Sequence, residues 1–208
     1  NGKRVQSMGG AKNHMIVMPD ADIESAADAL MGAAYGSAGE RCMAISVAVP
    51  VTEKTSNELI EVMTPLVRKL KVGPSTDNAS EMGPLVTRDH LEKVKGYIHQ
   101  GTLEGAEIVV DGREFKLREH PDGFFIGGTL FDHVTPNMKI YKEEIFGPVV
   151  VATPFDDAEE IVTLANDTHY GLAASVWTES LSAAHRLAAQ IRAGTVWINC
   201  HSMFDACN

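Results

Sequence analysis

Cys42 closes the stretch Gly36-Ser-Ala-Gly-Glu-Arg-Cys42, so a thiol follows a turn with two glycines, Gly36 and Gly39, and precedes the apolar run Met43 to Val51. A thiol at such a junction can face a cleft while the core holds its backbone still. The thiolate is the nucleophilic form, and a neighbouring cation such as Arg41 favours it. Burial as a small hydrophobe is the competing reading and the commoner fate of a lone cysteine. A second candidate is Glu143-Glu144-Ile-Phe-Gly-Pro148, two carboxylates ahead of a Gly-Pro turn. Paired acids there can serve acid–base chemistry or hold a ligand hydroxyl. The alternative is a solvated turn that Lys142 shares. The eight histidines are scattered, with no two at ligand spacing on one helix face, and Cys200 and Cys207 lie too far apart for a zinc knuckle, so no metal site is expected. Ser7-Met-Gly-Gly-Ala-Lys12 is glycine-rich but precedes its strand, unlike a strand–turn–helix dinucleotide fingerprint.

Alternating strands and helices must position these groups. Strands are expected at His14 to Met18, Met43 to Val51, Ala106 to Val110, Phe124 to Leu130, Pro148 to Phe155, Leu172 to Trp177 and Thr195 to Asn199. Helices are expected behind the caps Asp22, Thr52, Thr87 and Ser180, with another starting at Asp157. Their apolar stripes are Ile23, Ala27, Leu30 and Ala34; then Leu59, Val62, Met63, Leu66 and Leu70; then Leu91, Val94, Ile98 and Leu103; and lastly Leu187 and Ile191. Val72 to Asn78 reads as a loop, and the charged segment Arg113 to Asp122 as a hairpin. The alternation implies an α/β fold, a mostly parallel sheet with helices on both faces.

At 208 residues, 44% hydrophobic and 22% charged, the chain can bury a sizeable core as one domain. A net charge of −10 and no basic stripe argue against a nucleic-acid partner. No apolar run approaches the length of a membrane span. Three cysteines are too few for a disulfide scaffold, which suggests a reducing compartment: the cytoplasm, or the mitochondrial matrix in a eukaryote. Both termini look cut, as expected of a piece of a longer protein.

Gly2 to Lys12, Gly39-Glu-Arg-Cys42 and Glu144-Ile-Phe-Gly-Pro148 together resemble the NAD(P)-dependent aldehyde dehydrogenase superfamily, with the motifs in family order across essentially the whole chain. Gly2-Lys-Arg-Val-Gln-Ser7, Gly10-Ala-Lys-Asn-His14, Glu40-Arg-Cys-Met-Ala44, Gly105-Ala-Glu-Ile-Val-Val-Asp-Gly-Arg113 and Tyr141-Lys-Glu-Glu-Ile-Phe-Gly-Pro148 look most like its CoA-acylating methylmalonate semialdehyde dehydrogenase branch. Tyr170 to Trp177 and Gly194 to His201 look instead like the hydrolytic members that oxidise betaine-type or aromatic aldehydes.

The resemblance implies a catalytic-domain fragment over residues 1–208, with the NAD-binding domain before it and the subunit-pairing strand after it. It implies Cys42 as nucleophile toward a small-molecule aldehyde, with the Cys42 N–H as an oxyanion donor, and a homo-oligomer for the full-length protein. Glu144 would hold the nicotinamide ribose of NAD, and Phe146 would help position the ring. Hydrolytic members carry a Glu in Leu-Glu-Leu-Gly-Gly-Lys that activates the deacylating water; aligned on Gly10 and Lys12, this chain has Met8 there. A thioether takes no proton from water, so the thioester would wait for a thiol such as that of CoA. Arg41 would pair with a substrate carboxylate, or else simply favour the thiolate. Three outcomes stay open: a CoA-acylating semialdehyde dehydrogenase, a hydrolytic dehydrogenase, or an isolated domain that is catalytically inert.

Overall fold

The computed structural model describes residues 2–5, 7, 9–155 and 160–203. Its centre is β1 (Asn13–Val17), every residue of which is buried. Two parallel strands flank it, β2 (Ile45–Pro50) and β6 (Ala173–Trp177). With β3 (Glu107–Val110), β4 (Thr129–Asp132), β5 (Val149–Ala152) and β7 (Thr195–Ile198), they form one seven-stranded sheet in the order β3-β4-β5-β2-β1-β6-β7. All pairs are parallel except β3 with β4. Strands covered on both faces need apolar side chains at every position, and the runs Met15-Ile-Val17 and Val149-Val-Val-Ala152 supply them.

The helices are α1 (Ile23–Tyr35), α2 (Glu53–Lys69), α3 (Arg88–Leu103), α4 (Lys139–Lys142), α5 (Ile161–Asn166) and α6 (Leu181–Gln190). The four expected caps all form. The side chains of Asp22, Thr52, Thr87 and Ser180 each accept the N–H three residues on. From β1 through α1 to β2 the chain steps one way along the sheet. From β4 to β5, β5 to β6 and β6 to β7 it steps the other way. Right-handed crossovers therefore put α1 on one face and α4, α5 and α6 on the opposite one. α2 packs on α1, and α3 on α4. Among the described residues no helix is long and apolar enough to cross a membrane.

Three expectations need correction. The strand expected over Phe124 to Leu130 begins only at Thr129, because the preceding backbone bonds elsewhere: Gly127 N–H donates to Gly112 O (2.9 Å), and Phe124 O accepts from Leu85 N–H (2.9 Å). The hairpin is made by β3 and β4, not within the charged segment between them, which opens with a short 3-10 turn over Gly112–Glu114. Leu66 and Leu103 keep the helical spacing but are 39% and 68% exposed, one on the rim of α2 and the other in the last residue of α3. The expected start of a helix at Asp157 lies outside the described residues; α5 carries Ile161 and Leu164, both buried. The four-residue α4 is too short to show a periodicity in the sequence.

Because β1, β2, β5 and β6 are parallel, their amino ends share one edge of the sheet. Ala11 and Lys12 lead into β1, Cys42 into β2, Glu144 to Gly147 into β5, and Gly171 and Leu172 into β6. Segments 29 to 160 residues apart in the chain thus meet at that edge.

Candidate active site

The Cys42 turn starts where α1 ends. Ser37, Ala38 and Gly39 all take positive φ (55°, 54° and 70°), a left-handed turn that reverses the chain within three residues. Each non-glycine residue there costs about 1–2 kcal/mol, so the surroundings must hold the turn in place. Gly39 is obligatory for a second reason: a Cβ on it would lie 2.3 Å from Gly147 O. The Cys42 turn and the turn before β5 therefore touch backbone to backbone.

Cys42 is exposed and unpaired, which removes the buried-hydrophobe reading of this thiol. Its peptide is oriented by Asn13, buried at the head of β1. Asn13 Nδ2 donates to Cys42 O (2.9 Å) and to Ala44 O (2.8 Å), while Asn13 Oδ1 accepts from Ala173 N–H (3.2 Å). One side-chain amide thus ties the thiol turn to β1 and β6. The Cys42 carbonyl is engaged inward, and among the described residues its N–H has no acceptor.

The two neighbouring carboxylates part company. Glu143, exposed, accepts from Tyr97 OH on α3 (2.8 Å). Glu144 is half-buried; its Oε1 accepts from Ala11 N–H (2.9 Å), and its Oε2 has no partner among the described residues. Beneath them Lys12, 3% exposed, donates from Nζ to Ile140 O (2.7 Å) and Glu143 O (2.9 Å), pinning the end of α4 and the turn that follows. Burial pushes the Lys12 ammonium down to about 7, against the opposing pull of Glu144 and Glu143.

The sign of the resulting pH dependence is fixed. Below about 7 both folded and unfolded chains carry the charge, and the burial penalty is fully present. Between about 7 and 10.5 the unfolded chain still binds a proton that the folded chain has released, so stability rises with pH. Melting temperatures of Lys12→Met and the parent protein across this window should differ in slope, with the rise missing in the variant. Parallel slopes would place the titration elsewhere.

Arg41, Cys42, Glu144 and Phe146, the residues singled out in the sequence, line one pocket together with Asn13 and Gly147. Arg41 is exposed, and its guanidinium packs against the end of α1: a Cβ on Gly36 would come within 2.9–3.0 Å of its Nη1, Cζ and Nη2. Phe146 is half-buried, with φ of 58°. The segment after β7 also reaches the thiol turn. His201 Nε2 donates to Met43 O (2.8 Å), its ring lies edge-on to Trp197 at 4.5 Å, and burial lowers its basicity. Met8 and Cys207 lie outside the described residues. Among the described residues no three His, Cys, Asp or Glu side chains are grouped to hold a metal ion.

The aldehyde dehydrogenase family model matches residues 1–208. This chain belongs to that family. An aldehyde dehydrogenase relative, the malonate-semialdehyde dehydrogenase of Pseudomonas aeruginosa, is 52% identical over 198 residues, which are 95% of this chain and 40% of the relative. A solved structure described as methylmalonate-semialdehyde dehydrogenase of Sinorhizobium meliloti 1021, complexed with NAD, superposes with a TM-score of 0.93 at 52% identity over 96% of this chain and 41% of that one. The betaine aldehyde dehydrogenase of Staphylococcus aureus in complex with NAD+ is more distant, at 34% identity with a TM-score of 0.91 over 95% of this chain and 39% of that one. The chain therefore spans about 40% of the length of the aldehyde dehydrogenases it matches. The mostly parallel α/β sheet expected from the sequence is the fold these structures share. Asn13 and Lys12 are parts of the site that motif reading passed over. A polar pair, Asn13-His14, opening an otherwise apolar strand was the visible signal for the first of them.

Proposed function

We propose that this chain is the thiol-bearing catalytic unit of an NAD-dependent aldehyde dehydrogenase that oxidises malonate or methylmalonate semialdehyde and passes the acyl group to CoA. The observation that carries the reading is the meeting of Cys42, Arg41, Glu144 and Phe146 around one pocket. The 52% identity to a malonate-semialdehyde dehydrogenase, against 34% for a betaine aldehyde dehydrogenase, favours the semialdehyde class. On this reading the family's nucleotide-binding domain and its subunit-pairing strand belong to sequence outside these residues. The functional protein is a homo-oligomer in a reducing compartment such as the cytoplasm, where the free thiols of Cys42 and Cys200 survive. The 208 residues by themselves are expected to be inert toward NAD.

The residues present fit a nicotinamide nucleotide. Glu144 Oε2 is a free acceptor for ribose hydroxyls, its position set by the Ala11 N–H on Oε1, and Phe146 offers a half-buried ring beside it. NAD, when bound, supplies the hydride acceptor. The Cys42 thiolate attacks the aldehyde carbon, and the unengaged Cys42 N–H is available to the oxyanion of the thiohemiacetal. Oxidation leaves a thioester on Cys42. The Arg41 guanidinium, resting on Gly36, receives the carboxylate at the far end of a semialdehyde. Met8 has no basic atom to activate water, so the CoA thiolate takes the acyl group and Cys42 leaves as thiolate.

The test is NADH formation from malonate semialdehyde, with and without CoA, by the full-length protein that contains this chain. Turnover should require CoA, and Met8→Glu should raise CoA-independent hydrolysis at least about tenfold, within the usual reach of a positioned general base. Equal turnover without CoA, or turnover confined to betaine-type or aromatic aldehydes, would favour the hydrolytic reading that the stretch around Gly194 to His201 suggested.

A further inference from the structure

We infer that His90 is a positioning residue that fixes the Cys42 turn against the turn of Glu144 and Phe146; this rests on the function proposed above. His90 lies in the first turn of α3, where its own N–H donates to the Thr87 hydroxyl (3.1 Å). Its Nε2 is 2.6 Å from Phe146 O and 3.4 Å from Glu40 Oε1. Both partners are acceptors, so Nε2 must carry the hydrogen, whether the ring is neutral or charged. One N–H is thereby shared between a carbonyl two residues after Glu144 and a carboxylate two residues before Cys42.

The bridge is sheltered. The side chains of His90 and Glu40 are 19% and 8% exposed, and Glu40 Oε1 also accepts from Val86 N–H (3.4 Å). The His90 ring lies edge-on to the Phe146 ring, with centroids 6.2 Å apart. Phe146 sits at positive φ, a conformation a bulky side chain rarely holds unless its neighbours impose it, and the bond from His90 to its carbonyl is such a restraint. One turn further along α3, Val94 packs over Gly147, where an added Cβ would lie 2.6 Å from Val94 Cγ2. Gly147 in turn backs onto Gly39. A single face of α3 thus holds both turns, through a polar bridge at His90 and an apolar one at Val94.

Hydride transfer depends steeply on the separation of donor carbon and acceptor, and a misplacement of about 1 Å can cost 10²-fold. A residue that sets the spacing of the thiol turn and the ribose-binding turn should therefore act on the chemical step. It should act little on thiol reactivity itself, because Cys42 is exposed and reacts with a small alkylating agent without alignment.

The test uses the full-length protein, with His90→Ala, His90→Gln and Glu40→Gln compared by the NADH burst rate, KM for NAD, melting temperature and iodoacetamide alkylation of Cys42. His90→Ala should slow the burst 10- to 100-fold, with KM for NAD and the alkylation rate within about threefold of the parent. His90→Gln, whose amide can still donate to Phe146 O, should recover most of the loss. Glu40→Gln, which keeps an acceptor but no charge, should fall between. The role is overturned by a burst within twofold of the parent in His90→Ala, or by alkylation falling in step with the burst. If His90→Ala does not fold, failure of His90→Gln to exceed one-tenth of the parent burst overturns it equally. A parent protein that forms no NADH at all from malonate semialdehyde, CoA and NAD, in a burst or in the steady state, would instead overturn the dehydrogenase reading, and this role with it.

Discussion

Asn13→Asp, which exchanges one NH2 group for one oxygen, is expected to destabilise the protein by about 3 kcal/mol or more. Nδ2 of Asn13 is the donor to both Cys42 O and Ala44 O, at 2.9 and 2.8 Å, in a residue that is 2% exposed. The replacement leaves two part-buried carbonyls without a donor, each worth about 1–3 kcal/mol, and sets a carboxylate oxygen against both. Ala173 N–H keeps its acceptor, so the loss falls on the thiol turn and spares β6. The introduced carboxyl would regain a donor only by binding a proton, so its folded pKa lies above its unfolded one near 3.9 and the deficit narrows as pH falls toward 4. Denaturant midpoints at unchanged slope would report the loss, and hydrogen exchange should localise it to residues 42–46. A deficit under 1 kcal/mol at neutral pH would mean that Asn13 does not hold the turn.

What the sequence conveyed and what it withheld divide along chain distance. Asp22, Thr52, Thr87 and Ser180 were legible as caps because each bonds an N–H only three residues away. The parallel sheet was legible because fully buried strands leave apolar runs between amphipathic helices. Cys42, Glu144 and Phe146 stand in short glycine-bearing turns whose character is local. The partners that make those turns a site are not local: Asn13 reaches Cys42 across 29 residues, His90 reaches Phe146 across 56, and Lys12 reaches Ile140 across 128. Nothing around Lys12 in the chain marks it as the buried pin of a turn so distant. The early start expected for β4 failed for the same reason: Phe124 and Gly127 are apolar enough for a strand, but their backbone groups bond Leu85 and Gly112. Leu66 and Leu103 satisfy helical spacing, which specifies a face and not how far along it the core extends.

Cys42→Ala carries the largest expected effect on activity. In the full-length protein NADH formation should fall on the order of 10⁴-fold or more, the scale set by removing an essential nucleophile. Folding should be nearly untouched, because the side chain is exposed and makes no disulfide. The melting temperature should stay within about 1 °C, since a surface change of this kind is worth only a few tenths of a kcal/mol. Affinity for NAD should also persist, because the variant leaves Glu144, its Ala11 N–H partner and Phe146 in place. That separation of effects distinguishes a reacting thiol from one that merely packs. Cys200 is the necessary comparison: it is half-buried, free, and next to His201, whose ring nitrogen bonds Met43 O beside the thiol. Cys200→Ala should retain most of the activity. If it were instead the variant that lost NADH formation while Cys42→Ala kept more than a few per cent, the covalent step would belong to the segment after β7. The turn that Asn13 and Gly39 hold so firmly would then serve only to shape the pocket wall.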